Sequence, residues 1–340
     1  DTFMIVENDT MTMDRIAELH GHQPDTIVYI DDVVSRWVND TIKSSIKPFF
    51  ETLRQIVKIT EVDVAGDSSI TNLNPLAELS DLRYLNCSGT EVSDINPIRN
   101  LNKIKEMDIS NTNITDVSNL KYANVVQSFK ADNVKINDIS IVAFYKDLNN
   151  LSISNTNVSD INPLARCNNL STLDLSGTQV NDLSILRNLL KLHDIDISNT
   201  FVDDLSSLQG LVNLHFLNLE GSQVTDLSPL ANLDELTEIN FSNTKVANID
   251  VLNNMPHLRK VYCDNSLVSK EDINKFKSQN PNVLVINESS ALAAWWNELP
   301  SFWKSLLIEQ TNTNIIPSKE ELHAIINVKS LKVNHFIQDA

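Results

Sequence analysis

Hydrophobic residues recur through the middle of the chain in one fixed pattern with a period of 22 residues. With the first residue of each repeat numbered 0, apolar residues stand at positions 0, 3, 5, 10, 13, 16 and 19. Nine successive repeats begin at Leu82, Ile104, Val126, Leu148, Leu170, Leu192, Leu214, Leu236 and Leu258. A period of this length predicts a solenoid in which each repeat forms one coil, because a single repeat cannot bury its own apolar face.

The positions within a repeat predict its elements. Apolar residues at positions 0, 3 and 5 with polar residues between them indicate a short half-buried strand. Position 7 is always Gly or Asn, the residue types that best tolerate a left-handed turn. Position 8 is Thr in six repeats, and we expect its hydroxyl to bond backbone groups inside the loop. Position 12 is Asp in seven repeats, which predicts an N-cap on a short helical or 3₁₀ turn.

These features predict an α/β fold, namely a right-handed leucine-rich-repeat solenoid. A curved parallel sheet would line the concave face, short helical or 3₁₀ turns the convex face, and helical caps the flanks. A variant repeat from Ile59 to Leu76 and a last strand at Val283 and Val285 extend the array to about eleven coils.

Three regions follow along the chain. Residues 1–58 lack the repeat and show helical spacing, so we expect an N-terminal helical cap. Residues 59–288 form the solenoid. Residues 289–340 contain a Trp-rich helical segment and a capping box at Ser318 and Glu321, followed by apolar residues at Val328 and Leu331. This last region is interpreted either as the start of a second repeat array or as a single C-terminal cap.

Composition excludes several classes of function. The net charge is −18, and the acidic residues expected on the concave face argue against a nucleic-acid partner there. No apolar run is long enough to span a membrane. Cys87, Cys167 and Cys263 stand at apolar positions far apart in the array, so we expect buried thiols. No catalytic or phosphate-binding motif is present, and the sequence predicts a protein that is not an enzyme and needs no cofactor. His193 and His215, at position 1 of adjacent repeats, are weak metal candidates.

Positions 2 and 4 of each strand are expected to point outward from the concave face. This surface is acidic and dotted with aromatic rings that the core does not require, the composition of a protein-binding surface. The candidate partner-binding residues are Tyr84, Glu106, Asp108, Asp174, Asp194, Asp196, Phe216, Glu238 and Tyr262. Like charges at neighbouring positions cost stability unless a partner relieves them. The sequence therefore predicts a protein ligand with a basic or mixed surface, while calcium is a weaker alternative.

The repeats at Leu170–Leu183 and Leu214–Leu230 resemble the 22-residue repeats of bacterial internalin-like proteins. This resemblance implies protein binding on the concave face, no catalysis by the repeats, and a place in a bacterial surface or secreted protein. An intracellular scaffold, or the recognition arm of a larger multidomain enzyme, is the alternative.

Overall fold

A computed structural model describes residues 59–328 of the chain and divides them into two compact units. The first unit comprises residues 59–202 and the second residues 203–328. The expected N-terminal cap at residues 1–58, and the apolar residues of the expected second array beyond Val328, lie outside the described residues.

The first unit contains seven three-residue strands, one for each coil. They are Glu61–Asp63 (β1), Tyr84–Asn86 (β2), Glu106–Asp108 (β3), Ser128–Lys130 (β4), Asn150–Ser152 (β5), Thr172–Asp174 (β6) and Asp194–Asp196 (β7). Neighbouring strands pair in parallel and in chain order. From β2 onward each residue pairs with the residue 22 positions later, so the sequence period becomes the register of the sheet. The predicted solenoid is confirmed.

A short 3₁₀ turn follows each of the first six strands. The turns are Asn74–Leu76, Asn96–Ile98, Ser118–Tyr122, Ser140–Phe144, Asn162–Arg166 and Ser184–Asn188. The Asp at position 12 stands just before each turn that follows β2 to β6, and its carboxylate accepts the N–H of the residue two places later. Asp138 accepts from Ser140 at 2.6 Å and Asp160 from Asn162 at 2.9 Å. The predicted N-cap at position 12 is therefore wrong by one residue: the N-cap is position 13, such as Ile95 or Ile161, whose apolar side chain makes no capping bond. The Asp one place earlier instead closes a side-chain turn onto the first residue of the 3₁₀ turn.

The second unit continues the same plan and ends in α-helices. Its strands are Phe216–Asn218 (β8), Glu238–Asn240 (β9), Lys260–Tyr262 (β10) and Leu284–Ile286 (β11), and its 3₁₀ turns are Ser206–Leu208, Ser228–Leu230 and Asp250–Asn254. Strands β8 to β11 pair in parallel. The helices are Lys270–Gln279 (α1), Ser289–Glu298 (α2), Ser301–Thr311 (α3) and Lys319–Ile326 (α4).

The register predicted for the last strand is wrong by two residues. Val261 pairs with Val285, whereas the strict 22-residue period would pair it with Val283. The cause is α1, a ten-residue helix in place of the shorter 3₁₀ turn, which lengthens this coil to 24 residues. Ser269 caps α1 by accepting the N–H of Asp272 at 3.0 Å, a signal that the sequence carried.

The apolar positions form a continuous core along each unit. In the repeat that begins at Leu170, all seven apolar side chains are at most 2% exposed. Tyr145 occupies position 19 and is also fully buried, because its hydroxyl donates to the carbonyl of Leu120 at 3.1 Å and its ring contacts Phe129 edge-on. The three cysteines are buried free thiols, as predicted, and burial raises the pKa of Cys87 to about 12.

The turn positions also behave as predicted. All nine residues at position 7 have a positive φ: Gly89, Asn111, Asn133, Asn155, Gly177, Asn199, Gly221, Asn243 and Asn265. All six threonines at position 8 donate their hydroxyl to the carbonyl of position 5 in their own repeat, at 2.6–2.8 Å. Each bond gives the carbonyl of position 5 a side-chain partner inside the loop.

The C-terminal helices pack around one small apolar cluster. Trp296, Leu307, Leu322 and Ile325 form its centre. Of the three tryptophans in this Trp-rich segment, Trp296 is buried, whereas Trp295 and Trp303 remain 38% and 43% exposed. Ser318 and Glu321 form the predicted capping box at the start of α4. No helix within residues 59–328 is long and apolar enough to cross a membrane.

Candidate functional site

The candidate site lies on the sheet face, defined here as the side chains at positions 2 and 4 of the strands. The candidate residues divide between the two units. The first unit carries Tyr84, Glu106, Asp108, Asp174, Asp194 and Asp196, and the second carries Phe216, Glu238 and Tyr262. Each unit therefore presents its own part of the surface.

The aspartates at position 4 are held by the backbone that follows each strand. Asp108, Asp174 and Asp196 accept the N–H of Ser110, Ser176 and Ser198 at 2.8–2.9 Å. Asparagine makes the same bond where it replaces aspartate: Asn86 accepts from Ser88 at 3.1 Å and Asn240 from Ser242 at 2.9 Å. The side-chain oxygen at position 4 thus accepts this backbone bond whether the residue is aspartate or asparagine.

The negative charges concentrate at β6 and β7. Asp174 pairs directly with Asp196, and Asp194 lies on the same strand as Asp196. Burial raises the pKa of Asp174 above its ordinary value, and repulsion from Asp196 and Asp132 adds to the rise, while hydrogen bonds from Ser176 oppose it. All three carboxylates of β6 and β7 are only partly buried, so an incoming group can reach them.

Tyr84 lies on β2 of the same unit, near the carboxylates of Asp63, Glu106 and Asp108. Its side chain is partly buried, and its pKa is raised first by that burial and then by repulsion from Asp63. Glu106 and Asp108 on β3 pair with Tyr84 and Asn86. The aromatic ring thus stands next to carboxylates, with Glu106 exposed beside it.

The sheet face of the second unit is occupied in part by the chain itself. Tyr262 donates its hydroxyl to Glu320 of α4 at 3.0 Å. The pKa of Tyr262 is raised first by burial and then by this hydrogen bond. Glu238 forms an ion pair with Lys260 at 3.2 Å, and its strand partner is Phe216. Phe216 and Glu238 remain partly buried, whereas Tyr262 already has a partner within the chain.

The two histidines are engaged separately in their own units. Nδ1 of His193 is 2.9 Å from Asp194, and Nδ1 of His215 is 2.7 Å from the carbonyl oxygen of Asn213. Across residues 59–328, no group of three or more His, Cys, Asp or Glu side chains is arranged to hold a metal ion.

Acids at position 6 were missed by the sequence reasoning. Most repeats have Ser there, but three have an acid, and each makes contacts across coils. Asp132 accepts from the hydroxyls of Ser152 and Ser154 at 2.5 and 2.9 Å. Asp264 is 8% exposed and accepts the backbone N–H and the hydroxyl of Ser289 at 2.7 and 2.6 Å. The sequence did signal these acids, because they replace the Ser that most repeats have at position 6.

No family model matches the chain, and no curated protein matches it. Solved structures do. Internalin InlF of Listeria monocytogenes is 23% identical, with a TM-score of 0.50 over 75% of this chain and 87% of that chain. Internalin C2 of the same organism is 26% identical, with a TM-score of 0.52 over 55% of this chain and 82% of that chain.

A third match extends beyond bacteria. The leucine-rich-repeat ectodomain of the plant membrane receptor kinase GASSHO1/SCHENGEN3 from Arabidopsis thaliana, solved in complex with Casparian strip integrity factor 2, is 13% identical. Its TM-score is 0.58 over 81% of this chain and 33% of that chain. At these identities the matches establish the fold and the repeat type.

Proposed function

Since the chain is a leucine-rich-repeat protein with internalin-like repeats, we propose that it is a non-enzymatic module that binds a protein partner. The main contact surface is the sheet face of the first unit, from Tyr84 to Asp196. Phe216 and Glu238 supply a further contact region in the second unit, whereas Tyr262 is assigned to holding α4.

The arrangement of Asp174 and Asp196 carries this proposal. The two carboxylates are opposite each other on paired strands, and a like-charge pair in that position costs about 0.2–1 kcal/mol. Asparagine at the same position satisfies the same backbone N–H elsewhere in the array, so that bond does not require the charge. A cationic group on the partner would relieve the repulsion between the two carboxylates, and this relief is the reason for placing the contact here.

The chemistry of the surface indicates the kind of partner. The sheet face of the first unit offers carboxylates for Lys and Arg side chains, and it offers the ring of Tyr84 as an apolar or cation–π contact. A partner with a basic or mixed surface fits this combination. The association rate should fall as salt is added, because charge pairs across an interface steer the encounter.

The test compares two triple variants of the full chain in capture experiments from the native cell and from its host or neighbours. The sheet-face variant is Asp108→Asn with Asp174→Asn and Asp196→Asn. It removes three charges and keeps the bonds to Ser110, Ser176 and Ser198.

The matched control is Asp94→Asn with Asp116→Asn and Asp160→Asn, at position 12. These aspartates also accept the N–H two residues later, and Asn248 shows that asparagine is accepted there. A partner captured by the wild type and the control, but not by the sheet-face variant, supports the proposal. Equal capture by all three proteins, or capture by none of them, would refute it.

We further propose that the module belongs to a bacterial surface or secreted protein, which the likeness to internalin structures supports. Protease treatment of intact native cells, followed by detection of the chain in cells and in medium, tests this location. A chain that is fully protected inside intact cells would favour the intracellular scaffold instead.

A further inference from the structure

A basic strip runs along the first unit, in the segments between the 3₁₀ turns and the next strand. It is formed by positions 17–21 of five consecutive repeats, namely residues 99–103, 121–125, 143–147, 165–169 and 187–191, which include the last residues of four of the 3₁₀ turns and lead into the next strand. We refer to it as the basic ridge. Its exposed basic side chains include Arg99, Lys121, Lys146, Arg166, Arg187 and Lys191, and Asp147 is the one acid in these segments.

Hydrogen bonds join the last three segments of the ridge from coil to coil. Asn169 donates to the carbonyl of Lys146 at 3.2 Å, and the Lys191 ammonium donates to the side chain of Asn169 at 2.7 Å. Position 19 of every ridge segment is buried, for example Tyr145 and Leu189, so the residues on either side of it face solvent. Consecutive basic groups therefore stand on coils stacked about 5 Å apart.

Large apolar side chains are interspersed among these cations. Tyr122 and Phe144 share position 18 in adjacent repeats and are 56% and 51% exposed, and Leu190 is 55% exposed. The Lys121 ammonium lies 5.2 Å from the centre of the Tyr122 ring. The core does not use these side chains, since its own positions are already filled and buried.

The basic character is confined to this stretch of the array. Positions 17–21 of the second unit, in residues 209–213, 231–235 and 253–257, contain neither Lys nor Arg, and they include Asp234 and Glu235. In the first coil, the equivalent segment contains Glu78 and Asp81, and Asp81 forms an ion pair with Lys103 of the ridge. A repeat requires no basic residue at these positions, so the solenoid itself does not explain the ridge.

We propose that the basic ridge is a docking surface for an anionic lipid bilayer. Lys and Arg side chains in a row attract anionic headgroups without requiring fixed partner geometry, because the headgroups rearrange to meet them. Tyr and Phe side chains between the cations suit the headgroup level, where amphipathic and apolar groups meet water. A single-stranded nucleic acid would instead need a basic groove in which bases stack. The inference is independent of the partner proposed for the sheet face.

The test measures binding of the full chain to vesicles of phosphatidylglycerol with phosphatidylcholine, and to vesicles of phosphatidylcholine alone. The ridge variant Arg99→Gln/Arg187→Gln is compared with Lys130→Gln/Lys135→Gln, which removes two exposed lysines of the same unit outside the ridge. Each lost cation near the surface should weaken binding roughly fivefold, so the ridge variant should lose about 25-fold and the control little. A third variant, Tyr122→Ser/Phe144→Ser, should also bind more weakly.

Salt-sensitive binding to the anionic vesicles, lost in the ridge variant and kept in the control, supports the proposal. Absence of binding by the wild type, or equal loss in both charge variants, overturns it. Binding of a single-stranded oligonucleotide or a poly-glutamate peptide through the ridge, without vesicle binding, would assign the ridge to a different partner and also overturn it. Capture of the sheet-face partner by the ridge variant should remain normal, which separates the two proposals.

Discussion

At the scale of single residues, the repeat assigns one backbone task to each polar position. Position 7 supplies the left-handed turn, position 8 a hydroxyl for the carbonyl of position 5, and position 12 a carboxylate that closes the start of the 3₁₀ turn. The exceptions are informative because they remove a single bond from an otherwise complete column. Ser222 is such an exception: among the described residues it carries a buried side-chain hydroxyl without a hydrogen-bond partner.

Ser222→Thr should raise the free energy of unfolding by about 0.5–1.5 kcal/mol, measured by urea denaturation. Threonine at position 8 donates its hydroxyl to the carbonyl of position 5, which is Leu219 in this repeat. Its extra methyl group should also fit, because another repeat buries the larger Val134 at the same position. Ser222→Ala removes the unpaired hydroxyl alone and should gain less. A destabilised Ser222→Thr protein would mean that this coil has no room for the methyl group.

Asn199→Gly should be nearly neutral, because Gly177 and Gly221 adopt the same positive φ at position 7 of the neighbouring repeats. Asn199→Ala should cost about 1 kcal/mol, because alanine keeps the Cβ that is strained in the left-handed region but lacks the short polar side chain that helps asparagine adopt it. Thermal unfolding of both variants measures the difference. A large loss in Asn199→Gly would show that the asparagine side chain, rather than its backbone conformation, matters.

At the scale of elements, helix α4 covers part of the sheet face of the second unit. Helix α4 lies against the last strands through the Tyr262–Glu320 bond, an ion pair of Lys319 with Asp264 at 3.7 Å, and His323, which accepts the N–H of Asn287 at 3.0 Å. His323 is 1% exposed, so this contact is a packed one. The α-helical ending therefore limits how much of the second sheet face a partner can reach.

Tyr262→Phe should loosen α4 by about 1 kcal/mol, the net value of one hydrogen bond. Hydrogen exchange of the peptide covering residues 319–326 should speed up, while exchange in β1–β7 stays unchanged. Tyr84→Phe is the matched control, because it also removes a sheet-face hydroxyl but lies in the first unit. Unchanged exchange in Tyr262→Phe would show that packing alone holds the helix.

Asp174→Asn should stabilise the protein at pH 7 by a few tenths to about 1 kcal/mol, because it removes repulsion from Asp196 and keeps the bond from Ser176. The folded pKa of Asp174 is raised, so its destabilising effect is present above that pKa and disappears as the pH falls through it. The gain should therefore vanish in acid. Urea midpoints at pH 7 and pH 3 check this, and a loss of stability at pH 7 would contradict it.

At the scale of the whole molecule, charge is distributed by column. Aspartate stands at position 12 in seven of the nine repeats and at position 4 in three, and basic groups collect at positions 17–21 of the first unit. The net charge of −18 therefore conceals two surfaces of opposite sign. The period that stacks apolar residues into a core also places residues of the same repeat position next to each other on neighbouring coils. Like charges at one position can therefore form an extended surface, although they are far apart in the sequence.

The position 12 carboxylates should make the fold sensitive to acid. Hydrogen bonds from Ser118 and from Ser228 hold the pKa values of Asp116 and Asp226 below the ordinary range. Their contribution is complete above the unfolded value of about 3.9 and is lost as the pH falls through the lower folded values. Asp116→Asn/Asp226→Asn should flatten the dependence of stability on pH below about pH 4. The same dependence of stability on pH in the variant and the wild type would contradict this.

The sequence by itself determined the coil, its register and its turn chemistry, because the 22-residue period repeats one local solution and each coil contacts only its neighbours. It therefore predicted the strands, the left-handed turns at position 7, the threonine bonds and the buried cysteines. The nine candidate contact residues could be selected by column in the same way, although their role as a binding surface is a proposal. Where a repeat keeps its length, local pattern and tertiary structure coincide.

Only the tertiary structure decided the features that depend on contacts outside the period. Helix α1 lengthened one coil to 24 residues and shifted the last strand, and α4 folded back to contact Tyr262 from 58 residues away. The acids at position 6 proved to be cross-coil anchors, and the basic ridge became visible once positions 17–21 were seen to stack. Such contacts join residues that no short-range pattern relates, so their chemistry could be assigned only after folding brought them together.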